Sequence, residues 1–139
     1  MGTLARAVVP SLLAVAGCHG LGEARATRLV KAYNDQVIEA FRTGDARLVE
    51  GVAGPKEAKK LTGLIGVKLD QGLTLDAQLL ELRVLKVKRA DDAVLVETAE
   101  EWYYQERRIG SGERVGQDSR DRYHMRYVLR RMEKRWVVD

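Results

Sequence analysis

GLTLDAQLLELRV, residues 72–84, is the stretch in which the chain changes its period. Leu73, Leu75, Ala77 and Leu79 alternate with mostly polar side chains, and then Leu80, Leu82 and Val84 alternate in the opposite phase. A spacing of two describes a strand with one buried face, and the reversal of phase predicts a bulge near Leu79-Leu80. Upstream the repeat is helical. Ala26, Leu29, Val30, Tyr33, Val37, Ile38 and Phe41 recur at steps of three and four, which predicts one amphipathic helix over residues 23–43. Gly44 suits a left-handed stop, and Asp45 can cap a shorter helix carrying Leu48, Val49 and Val52. Gly54-Pro55 restarts the chain, with Ala58, Leu61, Leu64, Ile65 and Leu69 as a third apolar stripe that Gly72 ends.

Downstream the period stays near two. Residues 93–108 read as a strand with Val94, Val96, Trp102 and Tyr104 in one phase, and Gly110-Ser111-Gly112 reads as its hairpin turn. A long strand from about Gln117 to Met132 carries Tyr123, Met125, Tyr127 and Leu129 on one face. Arg120, Arg122, His124, Arg126, Val128 and Arg130 lie on the other, and Trp136-Val137-Val138 makes a short last strand. Helices first and antiparallel strands afterwards predict an α+β domain, its N-terminal helices packed in a curved antiparallel sheet. With 139 residues, 45% hydrophobic and 32% charged, the chain has room for one ordinary globular core and no second domain.

The N-terminus departs from this composition. Ala7 to Gly17 (AVVPSLLAVAG) is uncharged and follows Arg6, which matches the apolar region of an export signal and is too short to span a bilayer. Cys18 is the only cysteine, so no internal disulfide exists. Leu13-Ala14-Val15-Ala16-Gly17-Cys18 resembles the lipobox of bacterial lipoproteins. That resemblance implies a signal peptide over residues 1–17, a lipidated Cys18, a tether over 18–24 and a domain over 25–139. Membrane contact would run through the acyl chains on Cys18, which together anchor far more firmly than one. His19 stands where such proteins carry a retention aspartate, which points to the outer membrane in a Gram-negative host.

The region from about Arg25 onward resembles the nuclear-transport-factor-two-like superfamily, the cone-shaped fold of ketosteroid isomerase and many non-enzymatic domains. More narrowly, it is similar to the intermembrane-space domain of plastid-division proteins. Tyr33, Phe41 through Leu48, Glu100 to Tyr104 (EEWYY), Tyr127-Val128-Leu129 and Trp136-Val137-Val138 carry the likeness. These positions shape a fold, so the resemblance implies architecture more than activity. Dimers are common in the superfamily, and nothing in this chain demands one.

Chemistry has few candidates. His124 stands among arginines with no orienting carboxylate beside it in sequence, and a zinc site of the usual ligands is excluded by the count of two histidines and one cysteine. No catalytic residue, metal or cofactor is expected. Isomerase-type chemistry would need an acid or base inside the cone; Tyr33, Tyr123 and Tyr127 can donate, yet no carboxylate stands out on the apolar face. Tyr33, Trp102, Tyr104, Tyr123 and Tyr127 are compatible with a ligand cavity and equally with core packing. Residues 101–139 hold ten Lys or Arg against seven Asp or Glu. The row Arg120, Arg122, His124, Arg126, Arg130 is either a surface for an envelope protein or anionic lipid, or the wet face of a sheet. Export excludes nucleic acid as the expected partner. The expected function is a membrane-anchored, non-enzymatic interaction module of the cell envelope; the alternative is a carrier of a small hydrophobic ligand, or a degenerate enzyme. An open interior faced by Trp102 or a tyrosine would favour the alternative, and a filled cone the interaction module.

Overall fold

A computed structural model describes residues 21–139. Helix α1 spans Glu23–Thr43, with Ala26, Val30, Tyr33, Asn34 and Ala40 buried along one face. Glu23 in its first turn and Arg42 in its last complement the helix dipole. It stops where expected: Gly44 takes φ +75° and donates its N–H to the Ala40 carbonyl. The next segment is shorter than a full α-helix, a 3₁₀ turn over Ala46–Val49 whose first free amide, on Arg47, is satisfied by the Asp45 side chain at 3.1 Å. Helix α2 runs Pro55–Asp70 with proline at its start, where a missing N–H costs nothing.

Four strands follow as an antiparallel meander in the order β1-β2-β3-β4: β1 Leu73–Ala90, β2 Ala93–Arg108, β3 Arg114–Met132 and β4 Arg135–Val138. The predicted bulge lies between Leu79 and Glu81, so that Leu80 has no partner in β2 and projects outward, exposed. A second register shift between Val84 and Lys86 releases Leu85 in the same way. Strand β3 begins three residues earlier than the sequence suggests. Gly116, at φ +72°, bends it opposite the Tyr104/Glu106 shift and interrupts the alternation that would have marked its start.

The core lies between the inner face of the sheet and the helices, built from Val94, Val96, Tyr127, Leu129 and Val138 against Ala26, Val30, Ala40, Val49, Leu61 and Ile65. Residues 52–54 close the end of the sheet, with the Val138 N–H donating to the Val52 carbonyl and the Gly54 N–H to the Val138 carbonyl. The folded part begins ahead of residue 25. Leu21 is 1% exposed, its carbonyl accepts from Arg89, and helix α1 is already under way at Glu23, so residues 21–24 belong to the domain.

Candidate functional site

The inner face of β2 carries Val94, Val96, Thr98, Glu100, Trp102 and Tyr104 in strict alternation. Its first two residues are in the core, but the row continues past the aliphatic packing into a polar floor. Glu100 is 3% exposed and accepts three hydrogen bonds: from the Thr98 hydroxyl at 2.5 Å, the Trp102 indole N–H at 3.0 Å and the Tyr127 hydroxyl at 2.7 Å. The Tyr127 oxygen in turn accepts from the Asn34 amide at 3.0 Å. Every buried side-chain polar atom among the described residues has such a partner, as low-dielectric interiors require. A carboxyl therefore does lie on the apolar face, contrary to the sequence reading. Its parity with Val94, Val96 and Trp102 was the available signal.

A second tyrosine–glutamate pair stands beside the first. Tyr33 of α1 donates to Glu57 of α2 at 2.5 Å, Glu57 also meets Lys60 at 3.1 Å, and the Tyr33 and Tyr127 rings touch edge to face with centroids 5.9 Å apart. Burial, followed by the hydrogen bond to Glu57, pushes the Tyr33 phenol well above its ordinary range; burial and then Glu100 do the same to Tyr127. Tyr104 is also raised, by partial burial first, then by Tyr123 and by the charges of Asp121 and Glu100. Asn34 and Glu57 were not anticipated, because the first is a polar interruption of a helical stripe and the second reads as an ordinary acidic first-turn residue.

These groups face a cavity of about 860 Å³ between α1, α2 and the sheet. Tyr33, Trp102, Tyr104, Tyr123 and Tyr127 all line it. Trp102 and Tyr104 stack in parallel with centroids 5.9 Å apart, while Tyr123 is 40% exposed and forms a lip with the exposed Leu64 and Met125. The interior is open, and its exposed lining mixes these apolar side chains with Lys56, Lys60 and Arg126.

The intermembrane-space region of the chloroplast protein ARC6 superposes on this chain with a TM-score of 0.74 at 20% identity, over 86% of this chain and 93% of that one. A protein of the NTF2-like family from Streptomyces avermitilis superposes with a TM-score of 0.53 at 14% identity, over 84% and 93%. The fold is nuclear-transport-factor-two-like. At these identities the likeness concerns architecture. No protein-family model and no curated protein matches the chain in sequence.

On the outside of this nuclear-transport-factor-two-like cone, Arg120, Arg122, His124, Arg126 and Arg130 share one face of β3, but carboxylates of neighbouring segments interleave with them. Arg120 meets Glu101 at 2.6 Å and Arg122 meets the same residue at 3.7 Å; Arg130 meets Asp92 at 3.0 Å and Asp139 at 3.1 Å. The Arg120 hydrogen bond, with the two arginine charges, holds Glu101 below the usual carboxylate range. Arg126 is in register with Glu97 and also lines the cavity, and His124 is exposed at 4.0 Å from Glu97. No group of three His, Cys, Asp or Glu among the described residues could hold a metal ion, and none of the described helices is long and apolar enough to cross a membrane. The signal-peptide segment and Cys18 lie outside the described residues.

Proposed function

We propose that the protein is a lipid-tethered binding domain of the cell envelope, which holds an amphipathic small ligand in its cone and does not transform it. The observation that carries this reading is the open cavity of about 860 Å³, large enough for a drug-sized molecule. Its exposed leucine, methionine and tyrosine at the mouth lead to a fixed polar floor. Both oxygens of Glu100 are already engaged by protein donors. Tyr33 and Tyr127 keep their protons far into alkali, so neither is tuned for proton transfer near neutral pH. The arginine row is the weaker candidate surface, since Arg120, Arg122 and Arg130 each face a carboxylate.

Native mass spectrometry of the protein purified from its own host's envelope tests the ligand: a co-purifying species of constant mass is expected, and a bare protein from every preparation refutes it. The tether follows from the lipobox resemblance at Cys18. Cys18→Ala is expected to move the protein out of the membrane fraction, and continued detergent-dependent association would overturn lipidation as the sole anchor.

A further inference from the structure

The cavity's wall combines ring faces with carboxyls. Trp102 and Tyr104 stack along β2, and Tyr123 stands opposite Glu100 across the β2–β3 register. Ring faces carry partial negative charge and attract a cation within about 6 Å. Glu100 lies beneath this wall, and Asp121, half-buried and lining the same cavity, is in register with Trp102. Among the described residues neither carboxyl is within ion-pair distance of a lysine or arginine. The basic residues of the wall do not balance them: Lys60 pairs with Glu57 at 3.1 Å and Lys68 with Glu106 at 3.5 Å, while Lys56 and Arg126, which also line the cavity, are exposed and make no ion pair with Glu100 or Asp121.

A cationic head entering here would exchange its hydration shell for aromatic faces and two carboxyl charges in a low-dielectric enclosure, where each is stronger than in water. An anionic head would meet acceptors already fixed in place. We infer that the cavity selects an organic cation, an ammonium head on a compact apolar body. The inference deepens the ligand-binding reading and rests on it.

The test uses three probes with one body and different heads: 1-adamantylammonium, 1-adamantanol and 1-adamantanecarboxylate. They are titrated calorimetrically into the full-length protein in phosphatidylcholine nanodiscs, with empty nanodiscs subtracted. The ammonium is expected to bind at least tenfold more tightly than the alcohol, with the carboxylate weakest. Glu100→Gln and Asp121→Asn are each expected to reduce the ammonium-to-alcohol ratio below threefold. Asp121 makes no buried hydrogen bond of the floor, so its variant keeps the test intact should Glu100→Gln fail to fold. A carboxylate that binds as well as the ammonium overturns the inference, as does a ratio that persists in Asp121→Asn. Alcohol binding with no preference for the ammonium leaves the cavity reading standing and overturns the cation. Absence of binding by all three overturns both.

Discussion

Replacing Tyr127 by Phe removes one oxygen and leaves the ring, its edge contact with Tyr33 at 5.9 Å and its place under α1 in position. That oxygen is the only described partner of the Asn34 amide group and one of three donors to Glu100. Asn34 is 3% exposed, so its freed N–H has nowhere in the protein to turn. A hydrogen bond to a charged group contributes about 1.5–3 kcal/mol, and an orphaned buried amide costs about 1–3 kcal/mol. Water from the adjoining cavity can re-satisfy part of the loss, which places the expected destabilisation near the lower end of the sum, at about 2–3 kcal/mol. For a domain of this size that corresponds to a fall in Tm of roughly 8–12 °C. Urea unfolding followed by circular dichroism measures it. A double-mutant cycle with Asn34→Ala should show a coupling of about 1 kcal/mol or more. A change below about 0.5 kcal/mol in Tyr127→Phe, or zero coupling, would refute the claim that this hydroxyl links helix to carboxyl.

Tyr33 and Tyr127 have folded-state values raised above the unfolded phenol near 10, so their contribution is complete below that pH and is lost as pH rises above it. The unfolded chain then binds fewer protons than the native one, and stability should fall with a slope that steepens toward about 1.4 kcal/mol per pH unit for each tyrosine above about pH 11. Denaturant midpoints at pH 10 to 12 check this, and Tyr33→Phe should lessen the slope; an unchanged slope contradicts the assignment. Gly44→Ala places a Cβ at φ +75° and 2.8 Å from a methyl of Leu69. The backbone alone costs about 1–2 kcal/mol, and Leu69, exposed, can swing aside, so a loss of about 1–2 kcal/mol by urea titration is expected.

Much of the architecture was legible because its signals are local. The left-handed Gly44, the proline that opens α2 and the phase reversal at Leu79-Leu80 each act over a few residues, and each is read off neighbours in the chain. The second register shift, between Val84 and Lys86, was not read from the sequence, although Val84 and Leu85 stand side by side as Leu79 and Leu80 do. Strand β3 was misread at its start because Gly116 inserts a residue that breaks the pattern. The five aromatic positions were visible as one face of each element, but not whether that face closes on itself.

That last question belongs to the tertiary structure, because an alternating pattern reports which side of a strand is sheltered and not what fills the space it shelters. The sequence alone determined the α+β order, the placement of α1 and α2 and the inner face of the sheet. Glu100 shows the limit. Its parity marked it as inward, yet a buried carboxyl is tolerable only with donors around it, and two of the residues that complete that network stand far along the chain: Tyr127 on β3, and Asn34 on α1, which bonds to Tyr127. Only folding brings them together, and only the spacing between the two helices and the sheet leaves the cavity beside them open.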